Sequence, residues 1–249
     1  DTMAGFCPAD PLTFDAPVTS FSAAVAQAPR PGRVAYAPTI GQSPVDRETR
    51  ELCRAGMGIF EDLGWTVEDI SINIAAVEET FLALRSQQFV IDRELQLQSH
   101  GNQIKADIIW NTELGLAQST SDLARAERAR ADLYRHFMAL FADYDLIVTP
   151  GANTPAFDVN LRHPDAIDGV KLEHYMAAST LTAAITLSAA PALSLPCGFD
   201  QYGRPVGLQV VGRPRGEAAL LAACAQYEGK SGLSARVPID PREGTVPQP

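Results

Sequence analysis

The sequence contains no long hydrophobic run. No stretch of about 18 apolar residues occurs, and the longest weakly polar segment, residues 177–196, is broken by Ser, Thr and Pro. The sequence therefore predicts no transmembrane helix. Residues 1–11 have neither the basic start nor the apolar core of a signal peptide, and we expect them to form a loop that continues from upstream sequence.

Cysteine is scarce and scattered. The four cysteines form no Cys-x-x-Cys pair, which disfavours structural zinc and a disulfide framework and predicts reduced thiols in a cytoplasmic protein. Cys53 and Cys224 lie in helical patterns, where a buried and unreactive thiol is the common case. The four histidines show no His-x-His or His-x-x-x-His spacing, so the sequence predicts no metal site.

Positive charge is also sparse, because 20 basic residues, only three of them lysines, face 30 acidic ones and leave a formal charge of −10. That balance disfavours broad contact with nucleic-acid phosphates or an anionic membrane surface. The phosphate-binding patterns Gly-x-x-x-x-Gly-Lys-Ser/Thr and Gly-x-Gly-x-x-Gly are absent, and we expect no cofactor. The nucleophile elbow Gly-x-Ser-x-Gly is absent as well, so the histidines lack a serine partner of that kind.

Apolar periodicity near the amino terminus predicts an α/β fold. Residues 33–38 and 65–71 alternate in the manner of strands. Residues 44–64 between them follow a helical pattern, with Asp46 as its N-cap and Gly64 as its stop. A strand–helix–strand unit of this kind indicates parallel strands joined by a crossover helix.

The rest of the chain is read as helices followed by strands of one domain. We expect long helices at residues 75–99 and 120–142, and then a short buried strand at 146–148 that ends in Thr149-Pro150. A polar loop at 158–169 and a further helix at 175–185 follow. The chain then forms a hairpin from residues 192–198 and 206–212 and a last helix at 216–228. The domain is predicted to begin with a loop and short helix at 1–32 and a strand–helix–strand unit at 33–71. A helical layer at 72–143, sheet strands with a pocket wall at 144–228 and an irregular tail at 229–249 follow.

Three segments resemble motifs of the amidase-signature family. The family strand that ends in Thr-Pro beside the substrate pocket resembles DYDLIVTP, residues 143–150. The family segment Asn-Leu-x-Gly-x-Pro-Ala-x-Ser-x-Pro-x-Gly resembles TLSAAPALSLPCG, residues 186–198, in which Thr186 replaces Asn and Ala189 replaces Gly. The family hairpin Gly-Leu-Pro-Val-Gly-Leu-Gln-x-x-Gly resembles GRPVGLQVVG, residues 203–212. Because the motifs follow the family order, the chain is identified as a member.

The resemblance implies a mixed β-sheet flanked by helices, with a helical cap layer. It also implies hydrolysis of a carboxamide or related C–N bond through an acyl-serine intermediate, carried by a Ser–Ser–Lys triad. This chain has no Gly-Gly-Ser-Ser-Gly-Gly stretch and no lysine before Lys105, so no catalytic residue is assigned to it. We therefore expect the carboxy-terminal portion of an amidase that is inactive alone. Its expected partners are the amino-terminal catalytic half, a small-molecule amide and, as a further candidate, a second copy of the chain.

The resemblance assigns substrate binding to Thr149, Pro150, Thr186 and Leu187, as one wall of a pocket. The residues themselves favour architecture over chemistry for these motifs, although Gln209, in an otherwise apolar strand, needs hydrogen-bond partners if it is buried. The alternative is a non-catalytic binding or interaction protein built on the same half-fold. A second polypeptide of similar size in the sample would favour the amidase.

The family sheet takes strands from both halves of the sequence. Without one half, we expect strand edges to carry unpaired N–H and C=O groups and apolar side chains to lose their cover. The residues expected next to that exposed face are Leu146, Ile147, Val148, Leu193, Leu195, Val210 and Val211.

Overall fold

The structure is a computed structural model that describes residues 1–17, 20–27 and 29–233. The described residues form helices and strands in the order α1 (Phe21–Val25), β1 (Arg33–Tyr36), α2 (Arg47–Gly56), α3 (Gly58–Asp62), β2 (Thr66–Asp69), α4 (Val77–His100), α5 (Ala106–Leu116), α6 (Thr120–Asp143), β3 (Leu146–Pro150), β4 (Ala166–Ile167), β5 (Val170–Lys171), α7 (Thr180–Leu187), β6 (Ala192–Phe199), β7 (Pro205–Val211) and α8 (Glu217–Ser231).

The main sheet has five strands in the order β2-β1-β3-β7-β6. β1 pairs in parallel with both β2 and β3, while β7 pairs antiparallel with both β3 and β6. The helices α2 and α3 form the crossover between β1 and β2, as parallel neighbours require. The mixed sheet flanked by helices confirms the fold class predicted from the sequence.

Helices cover the sheet on both faces. On the first face, Val34, Tyr36 and Val148 belong to a buried cluster with residues of α2, α3 and α8. On the second face, Ala35 and Ile147 belong to a buried cluster with residues of α4, α6 and α7. Because alternate residues of a strand point to opposite faces, β3 is buried at every position, as a strand covered on both sides must be.

The predicted elements agree with the structure in type and differ in detail. Asp46 does cap α2, accepting a 3.0 Å hydrogen bond from the Thr49 amide, but the predicted helix breaks at Met57 into α2 and α3. The region predicted as a polar loop contains β4, which pairs with β5. Helix α8 continues through Ser231, three residues into the predicted tail. Residues 234–249 of that tail lie outside the described residues.

Helix α5 was not predicted, and close packing explains why it forms. At Gly115 the backbone of α5 lies directly against α4. A Cβ atom added there would overlap the carbonyl group of Ser86 and come within 2.6 Å of the Val90 side chain. The glycine that weakens α5 as an isolated helix is thus what allows the two helices to pack.

The expectation of an exposed apolar face is wrong. Of the seven residues expected beside it, Leu193 is half-buried and the other six are buried. The seven are Leu146, Ile147, Val148, Leu193, Leu195, Val210 and Val211. The reason is that β3 and β7 lie inside the sheet, where neighbouring strands and the helices of this same chain cover them. The sheet edges are instead β2 and β6.

Candidate functional site

The carboxyl end of β3 changes the chemistry of the second face of the sheet. In the strand register, Ile147 lies beside Val211, which lies beside Ala192, so this row across β3, β7 and β6 is apolar. Two positions further along β3, Thr149 lies beside Gln209, which lies beside Ser194. We call Thr149, Gln209 and Ser194 the polar row. The side-chain alternation of strands places it on the same face as Ile147.

The polar row contains one unsatisfied group. Thr149 is fully buried, and its hydroxyl donates a 3.1 Å hydrogen bond to the Pro150 carbonyl oxygen. Gln209 is half-buried, and no described residue donates a hydrogen bond to its buried Oε1. Ser194 is exposed at the edge strand. A buried carbonyl oxygen without a donor is costly, so Gln209 marks a place where an N–H group fits.

The row that follows the polar row consists of Gly151, Gly207 and Pro196. Gly151 donates a 2.7 Å backbone hydrogen bond to the carbonyl oxygen of Gly207, which is the register partner of Pro196. A Cβ atom on Gly151 would lie 2.9 Å from that same oxygen, and one on Gly207 would lie 3.1 Å from the Leu195 carbonyl oxygen. Glycine at both positions lets the backbones meet beside the polar row.

The predicted substrate-binding residues are divided between this strand end and helix α7. Thr149, Pro150 and Leu187 are buried, whereas Thr186 is exposed and donates a 3.1 Å hydrogen bond to the Thr182 carbonyl oxygen. Leu187 belongs to the cluster on the second face, the face that Thr149 shares. Strand alternation turns Pro150 towards the first face instead. Substrate binding by the four residues stays a prediction.

Residues 1–221 match the family model described as Amidase. The chain belongs to the Amidase family. Among curated relatives, it is 27% identical to the acylamidase of Rhodococcus erythropolis, over 96% of this chain and 51% of that protein. It is 25% identical to a glutamyl-tRNA(Gln) amidotransferase subunit from Lysinibacillus sphaericus (strain C3-41), over 96% of this chain and 53% of that protein. The chain thus spans about half the length of these curated relatives.

A solved structure gives the same picture of the amidase fold. The chain superposes with a TM-score of 0.81 on a bacterial aryl acylamidase of the amidase signature family, at 20% sequence identity. The match covers 93% of this chain and 50% of that one. At this identity the likeness shows the fold alone. The three amidase motifs found in the sequence form β3, the α7–β6 segment and the β6–β7 hairpin, which together build the polar row and its surroundings.

A cavity of about 510 Å³ lies beyond the carboxyl ends of β1 and β2. Ser43, Asn73, Glu78 and Thr180 are among the residues that line it. The Ser43 side chain is buried, and its hydroxyl has no hydrogen-bond partner among the described residues. This cavity was not predicted from the sequence. Its signal was the Gly-Gln-Ser-Pro segment at residues 41–44, in the loop that follows a parallel strand, where α/β sheets commonly form sites.

Helix α7 connects the cavity to the predicted pocket wall. Thr180 lies at its first turn and Thr186 at its last, and eight helical residues span about 12 Å. Glu78 on α4 is held in place from this side, with Oε1 3.0 Å from His174 Nε2 and Oε2 accepting a 3.5 Å contact from the Thr180 hydroxyl. Among the described residues, no cluster of three His, Cys, Asp or Glu side chains could hold a metal ion. Nor does that part of the chain contain a helix long and apolar enough to cross a membrane.

Proposed function

We propose that the complete protein is an amidase, and that this chain supplies the sheet, the helical layer and one wall of its substrate pocket. Family membership supports the reaction class, and the length of the relatives, about twice that of this chain, supports a missing portion. The expected substrate is a small-molecule carboxamide or a related C–N compound. A cytoplasmic location remains a prediction.

The chemistry implied by the family is acyl transfer to serine. A serine oxygen attacks the amide carbon, the C–N bond breaks as the nitrogen takes a proton, and water then releases the acid from the acyl-enzyme. This chain carries neither the Gly/Ser-rich segment nor a lysine before Lys105. The nucleophile and its proton relay therefore belong to the amino-terminal portion in this proposal.

The observation that carries the role of this chain is the unpartnered Oε1 of Gln209 in the polar row. A carboxamide oxygen accepts hydrogen bonds from amide N–H groups. Here the N–H would come from the substrate or from the backbone of the completing portion. Neither donor is supplied to Gln209 by the part of this chain that the structure describes. Gln209 is proposed to be a positioning residue, beside Thr149.

The edge strand β6 is the proposed junction with the missing portion. Among the described residues, no strand pairs with its outer side. Its second-face positions Ala192, Ser194 and Pro196 are exposed, in contrast to β3, which is buried at every position. An edge strand with open backbone groups is a template for one more strand. Pairing there would bring the completing portion beside the polar row.

The test is reconstitution with the polypeptide encoded directly upstream. We expect the pair to hydrolyse an aryl amide such as 4-nitroacetanilide, and a fluorophosphonate probe to label a serine outside this chain. Thr149→Val should lower the activity of the pair by about five- to thirtyfold, since an oriented hydrogen bond contributes about 1–2 kcal/mol. The matched control is Thr112→Val, a buried threonine in α5 that donates a 2.7 Å bond to the Ile108 carbonyl oxygen away from the sheet.

Two outcomes would count against this proposal. Probe labelling of a serine within this chain would refute the assignment of the nucleophile elsewhere. A stable pair with neither turnover nor probe labelling would favour the alternative, a non-catalytic binding protein built on this half of the fold.

A further inference from the structure

Two cysteines that are 144 residues apart in the sequence face each other on the first face of the sheet. Cys53 Sγ, on α2, lies 4.0 Å from Cys197 Sγ, on β6. Cys53 is fully buried, whereas Cys197 is partly exposed near the sheet edge. Of the other two cysteines, Cys7 is exposed near the amino terminus and Cys224 is buried in α8.

The surroundings hold both thiols in place. The Cys53 thiol lies 3.5 Å from the Gly207 carbonyl oxygen and the Cys197 thiol 3.4 Å from the Val206 carbonyl oxygen. Gly56, one turn after Cys53, lies so close to β6 that a Cβ atom there would sit 2.8 Å from the Cys197 Cβ. The absence of a side chain at this position allows α2 to approach the strand closely enough for the two sulfur atoms to meet.

The pair is electrostatically asymmetric. Contact with the Cys53 thiol lowers the pKa of Cys197 below its ordinary value. The contact with Cys197, together with burial, raises the pKa of Cys53. Because the thiolate is the nucleophile in thiol oxidation, we expect Cys197 to react first. It is also the more accessible of the two.

We propose that Cys53 and Cys197 form an oxidisable dithiol that closes to a disulfide in the presence of a peroxide. Cys197 attacks one oxygen of hydrogen peroxide, giving a sulfenic acid and one water. Cys53 Sγ then attacks the Cys197 sulfur, forming the S–S bond and releasing the second water, so that two thiol hydrogens and two electrons pass to the peroxide. The sulfur atoms, 4.0 Å apart, must close to about 2 Å for the bond to form. The proposal does not depend on the amidase activity.

The bond would tie helix α2 to the edge strand β6 across most of the chain. A loop of this length loses substantial conformational entropy in the unfolded state when it is closed. We therefore expect the melting temperature to rise by roughly 5–15 °C on oxidation, and to return on reduction with dithiothreitol.

The experiment uses the chain with Cys7→Ser, which removes the exposed thiol. After treatment with hydrogen peroxide and alkylation of the remaining thiols, trypsin should yield residues 51–54 linked to residues 172–215, because the arginines at 204 and 213 precede proline. Cys224 falls in a separate peptide, 216–230, and should be fully alkylated after denaturation. In Cys53→Ser, dimedone should trap a sulfenic acid on Cys197.

The matched control is Cys224→Ser, which removes a buried thiol from the same core and should leave both the linked peptide and the shift in melting temperature unchanged. Absence of the linked peptide from oxidised protein that remains folded by circular dichroism would overturn the proposal. So would a linkage that includes Cys224, or a dimedone adduct on Cys224 in place of Cys197.

Discussion

Replacing Gln209 with leucine tests whether its side chain serves the function of the amidase or the stability of this chain. The buried Oε1 of Gln209 receives no hydrogen bond from the described residues. A buried carbonyl without a donor costs about 1–3 kcal/mol of folding free energy, and a leucine of similar size carries no such cost. Gln209→Leu is therefore expected to stabilise this chain by about 1–2 kcal/mol.

Gln118 provides a control of the same residue type with a lower expected stability. Its Oε1 is also buried and unpartnered, but its Nε2 donates hydrogen bonds to the Ala83 carbonyl oxygen and the Ser86 hydroxyl. Gln118→Leu removes both of these bonds to α4, which offsets the gain from removing its unpartnered Oε1, so this variant should be less stable than Gln209→Leu by about 2 kcal/mol. Equilibrium unfolding in urea, with the slope of the transition held constant, measures both variants.

The result that would refute the reasoning is a Gln209→Leu variant less stable than the parent by about 1 kcal/mol or more, since the amide would then be satisfied within this chain. In the reconstituted amidase the same variant should lose roughly tenfold or more in activity. Stabilisation of this chain together with full activity of the pair would show that Gln209 does not position the substrate or the completing portion.

Three further outcomes are expected. The purified chain alone should not hydrolyse an aryl amide above the buffer rate at any pH, and turnover sensitive to a serine-directed reagent would contradict this. Gly115→Ala should destabilise the chain by about 1–3 kcal/mol, because the new Cβ overlaps the α4 backbone at Ser86. The same change at Gly229, where a Cβ would have nothing within 4 Å, should not destabilise it. Equal unfolding midpoints for the two variants would disprove the close packing. The Ser119 hydroxyl and amide at the start of α6 lower the pKa of Asp122 to about 2. The stability gained from this capping box is thus complete above the ordinary aspartate pKa of about 4 and is lost as the pH falls through about 2, and an NMR titration giving Asp122 an ordinary pKa would contradict it.

The local order of this fold follows from its sequence. The alternation in β1 and β2, the helix between them and the β6–β7 hairpin are encoded by residues within a few positions of one another, since periods of 2 and 3.6 record which side chains face the core. The same locality made the three amidase motifs recognisable, as they are continuous segments. It also made Thr149 visible as a candidate, and Gln209 as a side chain that needs hydrogen-bond partners, before their surroundings were known.

Tertiary structure decided what depends on distant neighbours. Helix α5 forms against α4 because Gly115 permits contact between their backbones, and no local pattern signals that. The polar row exists only because the strand register sets Thr149, Gln209 and Ser194 side by side. Cys53 and Cys197 meet because α2 packs across β6. Register and packing bring together residues that are far apart in sequence, so the chemistry of this face could not be derived from spacing along the chain.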